Sequence, residues 1–181
     1  MKRSHRRRRT IIVAVVAGLL AGAAGVAWFQ PQKLLINQRV DEALPLAATP
    51  TSGALDTSLS RPGTRPSGLE PTILSTSLFR SLGHATSGRA VTLELADGRR
   101  FLRLVDLHTS NGPDLFVYLS RASVEAPRET FDDDFVSLGR LRANQGNQNY
   151  AIPGGVPLDR YQSVVIWCRR FTYAFGAAAL G

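Results

Sequence analysis

Three textures follow one another along the chain. Residues Thr10 to Phe29 carry no charge and are almost all apolar. At about 1.5 Å of rise per residue, such a stretch makes a helix of roughly 30 Å, the depth of a bilayer's hydrocarbon core. The pattern therefore predicts a membrane-spanning anchor over residues 10–29, with residues 1–9 as a basic cytoplasmic tail. Residues 30–69 follow as a juxtamembrane segment and linker. Within them, Arg39 to Pro45 has some amphipathic character, whereas Leu46 to Leu69 is rich in Ser, Thr, Pro, Gly and Ala and shows no apolar period. That composition buries no core and reads as a disordered, flexible stalk, with a reach of about 25–30 Å for a coil of this length.

From Glu70 to Gly181 the pattern changes to short strands separated by turns. Ala90 to Leu95 alternates, with Val91, Leu93 and Leu95 on one face and Thr92 and Glu94 on the other. Asp97-Gly98 predicts a type I′ hairpin turn, and Phe101 to Leu107 returns as the partner strand. Asn111-Gly112-Pro113-Asp114 is a second turn, leading into a strand over Leu115 to Ser120. Further strands are expected over Phe135 to Leu141 and Ser163 to Arg170, with Phe171 to Phe175 continuing in the same style. One short helical turn fits Leu158 to Tyr161. Residues 70–181 are enough for one core, and the fold class is all-β, an antiparallel β-sandwich or barrel.

Charge changes the picture only at the N-terminus. The formal net charge is +8, but Lys2, Arg3 and Arg6 to Arg9 supply six of the 22 basic residues, leaving the remainder two ahead of the 14 acids. The high pI is thus an anchor signal and not a nucleic-acid footprint. The basic cluster stays cytoplasmic by the positive-inside rule and meets anionic headgroups, so the expected placement is a single-pass plasma-membrane protein with its C-terminal domain outside the cytoplasm. Trp28 and Phe29 suit the far interface. Gly18 and Gly22 have the spacing of a close helix contact. A signal peptide cut near Gly25-Val26-Ala27 is the rival reading and places the domain on the same side.

Outside the cytoplasm a solitary thiol has no partner in its own chain, so Cys168, the only cysteine, is the first candidate. In a strand it shares a face with Val164 and Ile166, which suits a core residue, while Val165, Trp167 and Arg169 take the other face. The alternative is a redox thiol or a metal ligand. His84 and His108, with Cys168 and Asp106, would make a small copper or zinc site. The same ligands would have to serve haem, and no local motif marks either group; Met1 is the only methionine, so a cupredoxin-like axial ligand is missing. Asn144, Gln145, Asn147, Gln148, Asn149 and Tyr150 form a polar run read as a loop that either caps turns or offers amides to a cell-envelope ligand. Tyr150 and Trp167 are aromatic candidates for packing or for a pocket wall. Asp132 to Asp134 reads as a solvated turn or a weak calcium site. Nucleophile elbow, Cys-x-x-Cys and phosphate-loop motifs are all missing, so no stand-alone enzyme is indicated.

An ordered series of motifs resembles the DM-thirteen domain family. It runs through Leu104 to Leu107, Thr109 to Leu115, Val117 to Ser120, Leu138 to Leu141, Asn144 to Pro153, Tyr161 to Cys168 and Phe175 to Ala178. The likeness spans about Phe79 to Leu180, and Val40 to Pro45 is similar to membrane-anchored bacterial members. The resemblance implies a DOMON-like β-sandwich with a role in extracytoplasmic electron transfer that rests on the family cysteine, here Cys168. It also implies that a redox partner protein of the envelope is supplied from elsewhere, since no DOMON module accompanies the domain in this chain. The alternative function is a non-enzymatic ligand-binding or structural module.

Overall fold

Strands β4 and β5 form because apolar and polar residues alternate on either side of an Asp-Gly turn. The computed structural model describes residues 14–20, 22, 36–46 and 70–181. It contains ten strands among them: β1 (Arg39–Asp41), β2 (Thr72–Leu78), β3 (Arg80–Ser81), β4 (Thr86–Glu94), β5 (Arg100–Thr109), β6 (Leu115–Ser120), β7 (Phe135–Arg140), β8 (Gln145–Ile152), β9 (Ser163–Cys168) and β10 (Tyr173–Ala179). They make two five-stranded sheets, in the orders β1-β8-β5-β4-β2 and β3-β10-β9-β6-β7. All pairings are antiparallel except that of β1 with β8. A 3-10 turn over Leu158–Arg160 precedes β9, where a helical turn is expected.

The hairpin between β4 and β5 differs in detail from expectation. The Gly98 amide donates to Leu95 O at 2.9 Å and the Leu95 amide to Arg99 O at 2.8 Å. Only Gly98 of the pair is left-handed (φ 80°), so the connection is a three-residue loop ending in a glycine bulge, and not a type I′ turn. Asp97 closes it by accepting the Arg99 amide at 3.1 Å.

The main core lies between the sheets. Ala90, Leu102, Leu104, Leu107, Tyr150 and Ile152 come from the first sheet, and Leu115, Val117, Leu119, Val164, Ile166, Cys168, Phe175 and Ala178 from the second. A second apolar layer lies on the other face of the second sheet, where Phe116, Tyr118, Val165, Trp167, Ala174 and Ala177 pack with Phe131, Ala122, Val124 and Ala126. β6 and β9 are consequently buried at every position, and their sequences are continuous apolar runs instead of alternations. In β4 it is Ala90 that enters the main core. Val91 and Leu93 line a groove of about 320 Å³ together with Leu44, Ile73 and Val105.

The sandwich begins earlier than the sequence suggests. Residues 37–181 form one compact unit, and β1 belongs to the first sheet. The linker over residues 47–69 therefore connects two parts of one sandwich and does not precede it. That linker, the tail over residues 1–9 and most of the expected anchor lie outside the described residues. Within the anchor, residues 14–20 and 22 are helical, and no helix of the described residues is long and apolar enough to cross a membrane.

Candidate functional site

Cys168 ends β9 at the rim of the second sheet, yet its relative exposure is 0%. Its face is the one expected, alongside Val164 and Ile166 in the main core, while Val165 and Trp167 enter the outer layer. Its cross-strand neighbours are Leu115 in β6 and Tyr173 in β10. The Asn111–Asp114 loop closes this end of the sandwich: Gly112 lies so close to Leu115 and Phe175 that a Cβ there would stand 2.7 Å and 3.0 Å from their side chains. Beyond Cys168 the chain turns away, with the Arg169 amide donating to Asp114 O at 3.0 Å. The thiol is free, buried and sealed.

The residue opposite it opens toward solvent. Directly opposed residues of an antiparallel pair share a face, with Cβ atoms about 4.5–5.5 Å apart. Tyr173 thus packs against the same core as Cys168. Its phenol shares a 2.7 Å hydrogen bond with His84 Nε2. The segment before β4 is pinned on β10 to make this possible: the amides of Leu82 and His84 donate to Phe175 O at 3.0 and 3.2 Å, and that of Gly83 to Ala174 O at 3.0 Å. Gly83 must lack a side chain, because a Cβ would meet the Tyr173 ring at 2.5 Å. His84 lies against Phe175, with ring centroids 4.0 Å apart. Phe171 stacks on Tyr173 at 6.2 Å, and the Arg128 guanidinium lies over the Tyr173 ring at 5.5 Å. Phe171 is 52% exposed, so a chain of aromatic rings leads from the neighbour of the thiol to the surface.

The other candidates lie apart. His108 is exposed on β5 and contacts Gln145 Nε2 through its own Nε2 at 3.2 Å. His84 is committed to Tyr173, and Asp106 is exposed and faces Arg89. No group of three or more His, Cys, Asp or Glu among the described residues is placed to hold a metal ion. Since the thiol is sealed and both imidazoles are engaged on different elements, the described residues do not fit a copper, zinc or haem site built from His84, His108 and Cys168.

Of the polar run, Asn144 precedes the strand and caps backbone groups of Gln38 and Thr109, whereas Gln145 to Tyr150 form a strand and not a loop. That strand is β8, with Gly146, Gln148, Tyr150 and Ile152 buried in alternation. Gln148 is fully buried and satisfied: Nε2 donates to Ala143 O at 2.7 Å, and Oε1 accepts the Tyr150 hydroxyl at 2.8 Å and the Arg142 amide at 3.1 Å. Asn144, Asn147 and Asn149 are occupied by residues 37–43. Tyr150 and Trp167 are packing residues, 2% and 1% exposed. Of the acidic triplet, Asp134 pairs with Arg121 at 2.9 Å.

Tyr173 is the residue that sequence reasoning passed over. The period-two spacing of Phe171, Tyr173 and Phe175 placed three rings on one face and was its available signal. Nothing in the sequence connects it to His84.

The family model described as Electron transfer DM13 matches residues 78–180, more than half of the chain. No curated relative and no solved structure matches it.

Two outcomes follow from the burial of these side chains. The Cys168 thiol should resist an aromatic disulfide reagent in the folded protein and react fully once denatured; rapid native reaction would contradict the sealed geometry. Burial pushes the Tyr150 phenol up to about 12. The folded state therefore holds that proton more tightly than the unfolded chain, whose tyrosine titrates near 10. The resulting contribution, about 2–3 kcal/mol, is complete below pH 10 and disappears as the pH climbs through about 12. Denaturant midpoints should show Tyr150→Phe less stable by about 1 kcal/mol at neutral pH but losing less between pH 10 and 12 than the parent.

Proposed function

The chain belongs to the electron-transfer DM13 family, and from that membership we propose that its sandwich carries electrons outside the cytoplasm. In this reading residues 10–29 hold it in the membrane, Cys168 is the redox group, and Tyr173 with His84 is its route to the surface. The observation that carries the reading is the cross-strand placement of Tyr173 beside a thiol with no exposure. Disulfide exchange and sulfenic acid formation both require a partner atom to reach the sulfur, which a sealed core forbids. A hydrogen-atom transfer to Tyr173, which already packs against the same core opposite Cys168, needs no atom to enter from outside.

The chemistry balances without placing charge in the core. A partner protein carrying a high-potential transition-metal centre takes one electron from Tyr173. The oxidised phenol is a strong acid, and its proton passes along the 2.7 Å hydrogen bond to His84 Nε2, leaving a neutral phenoxyl radical. A hydrogen atom from the Cys168 S–H bond re-forms the phenol and leaves a neutral thiyl radical in apolar surroundings. His84, half-buried, returns its proton to water. The net change is one electron to the acceptor, one proton to solvent and one thiol to thiyl. Every species placed in the core on this path is neutral, as apolar surroundings require.

The test uses the full chain in detergent with photogenerated tris(bipyridine)ruthenium(III) as oxidant. Electron paramagnetic resonance should record a tyrosyl signal that is lost in Tyr173→Phe and persists longer in Cys168→Ser. An unchanged signal in Tyr173→Phe would overturn the route, and an unchanged lifetime in Cys168→Ser would remove the thiol from it. The topology has its own readout: a C-terminal tag on the chain should be removed by external protease in intact spheroplasts, and its protection until lysis would contradict an extracytoplasmic sandwich.

A further inference from the structure

We infer that the outer edge of β8 is a docking site for an extended acidic peptide, and that residues 37–43 are its ligand in the same chain. The inference does not depend on the electron-transfer reading. The family match starts at residue 78, so β8 lies within the matched domain and β1 lies outside it. Left to itself, the matched domain would present β8 as a bare edge, with unpaired amides in the position used for strand addition.

The edge reads its occupant residue by residue. The register is parallel, pairing Arg39 with Gln145, Val40 with Gly146 and Asp41 with Asn147. The Gln145 amide donates to Gln38 O at 3.1 Å, and the Glu42 amide to Asn147 O at 2.9 Å. These main-chain bonds accept any sequence. Specificity lies in the acids. Asp41 Oδ1 accepts both the Asn147 amide at 3.1 Å and its Nδ2 at 2.8 Å. Glu42 Oε2 accepts the Asn149 amide at 2.8 Å, and Oε1 accepts Arg142 Nη1 at 2.5 Å. Arg103 Nη1 and Asn149 Nδ2 then hold the carbonyls of Glu42 and Ala43. At the other end Asn144 accepts the Gln38 amide at 2.8 Å and, with Asn111, donates to Asn37 Oδ1. Gly146 completes the site. It adopts φ +99°, and a Cβ there would fall 2.1 Å from Val40 O, so the occupant lies where any side chain would stand.

Docking changes how the sandwich is attached. With residues 37–43 seated, the connection from the proposed anchor is residues 30–36, which span at most about 25 Å when extended. With them released, residues 30–71 become the connection, about six times as many residues and so a much greater maximum span. The acidic clip therefore sets the reach of the domain, and its release lengthens the tether without unfolding the matched domain.

The test is amide hydrogen exchange on the full chain in detergent, comparing the parent with the shape-conserving double variant Asp41→Asn, Glu42→Gln. The amides of Gln145, Asn147, Asn149 and Glu42 should exchange at least about tenfold faster in the variant, because two sets of charge-assisted bonds are weakened. The amides of Val164 to Ile166 in β9 should not change. Excess synthetic peptide covering residues 36–46 should restore protection to the variant's Gln145, Asn147 and Asn149 amides, and the same peptide carrying both substitutions should not. Unchanged exchange at the four amides would show that the acids do not hold the strand. Faster exchange throughout the sandwich would show an inseparable part of the fold, and failure of the parent peptide to restore protection would show that no docking site exists. Each of these three results overturns the inference.

Discussion

The second sheet has no polar face at its centre. β6 and β9 are buried on both sides, by the main core on one and by Phe131, Ala122, Val124 and Ala126 on the other. A strand enclosed in this way satisfies its backbone within the sheet and offers side chains only to apolar neighbours. Everything known of Cys168 follows from that constraint. Its sulfur ends a strand that cannot be wetted without separating a layer, so a reagent from solvent does not reach it in the folded state. The opposing residue on β10, Tyr173, has one side against that core and its hydroxyl bonded to half-buried His84.

The polar groups near the core are handled by pairing instead of exclusion. Gln148 is fully buried, but both ends of its amide are satisfied by the residues 142–143 backbone and by Tyr150. Thr86 and Thr109 bridge their hydroxyls at 2.8 Å beneath the closing end of the sandwich. Pairs of this kind cost little when complete and much when broken, which makes them better at fixing register than at adding stability. The first ties β8 to the residues just before it, and the second ties β4 to β5.

Much of the sandwich was legible because its signals are local. The apolar run ending in Cys168, the two faces of β9, the β4–β5 hairpin and the limits of β6 all follow from periodicity and turn chemistry. The Asn144–Tyr150 run was misread because β8 buries alternate residues that include Gly146 and Gln148, neither of which looks apolar. Its remaining signal, Tyr150 and Ile152 two residues apart, is too short to outweigh a run of amides. β1 was illegible for a related reason: three residues with Val40 as the only aliphatic carry no period, and the strand exists only because a partner more than a hundred residues away supplies its bonds. The Tyr173–His84 contact is likewise non-local, since it depends on the Gly83 segment folding back over β10.

The long connection between β1 and β2 is easier to reconcile with docking than its length suggests. Loop-closure entropy rises only with the logarithm of length, about 0.6 kcal/mol for each doubling. Shortening residues 47–69 by half would thus hardly strengthen the clip. What opposes docking is the ordering of residues 37–43 themselves, at about 1–2 kcal/mol of backbone entropy per residue. Main-chain pairing of three residues is a weak counterweight to that cost. The balance is carried by Asp41 and Glu42, whose carboxylates meet amides of β8 and the Arg142 guanidinium just before it. An exposed carboxylate that engages several donors at once is also sensitive to salt and to competing acids. The seating of β1 on β8 is therefore governed by those two side chains more than by the length of the connection to β2.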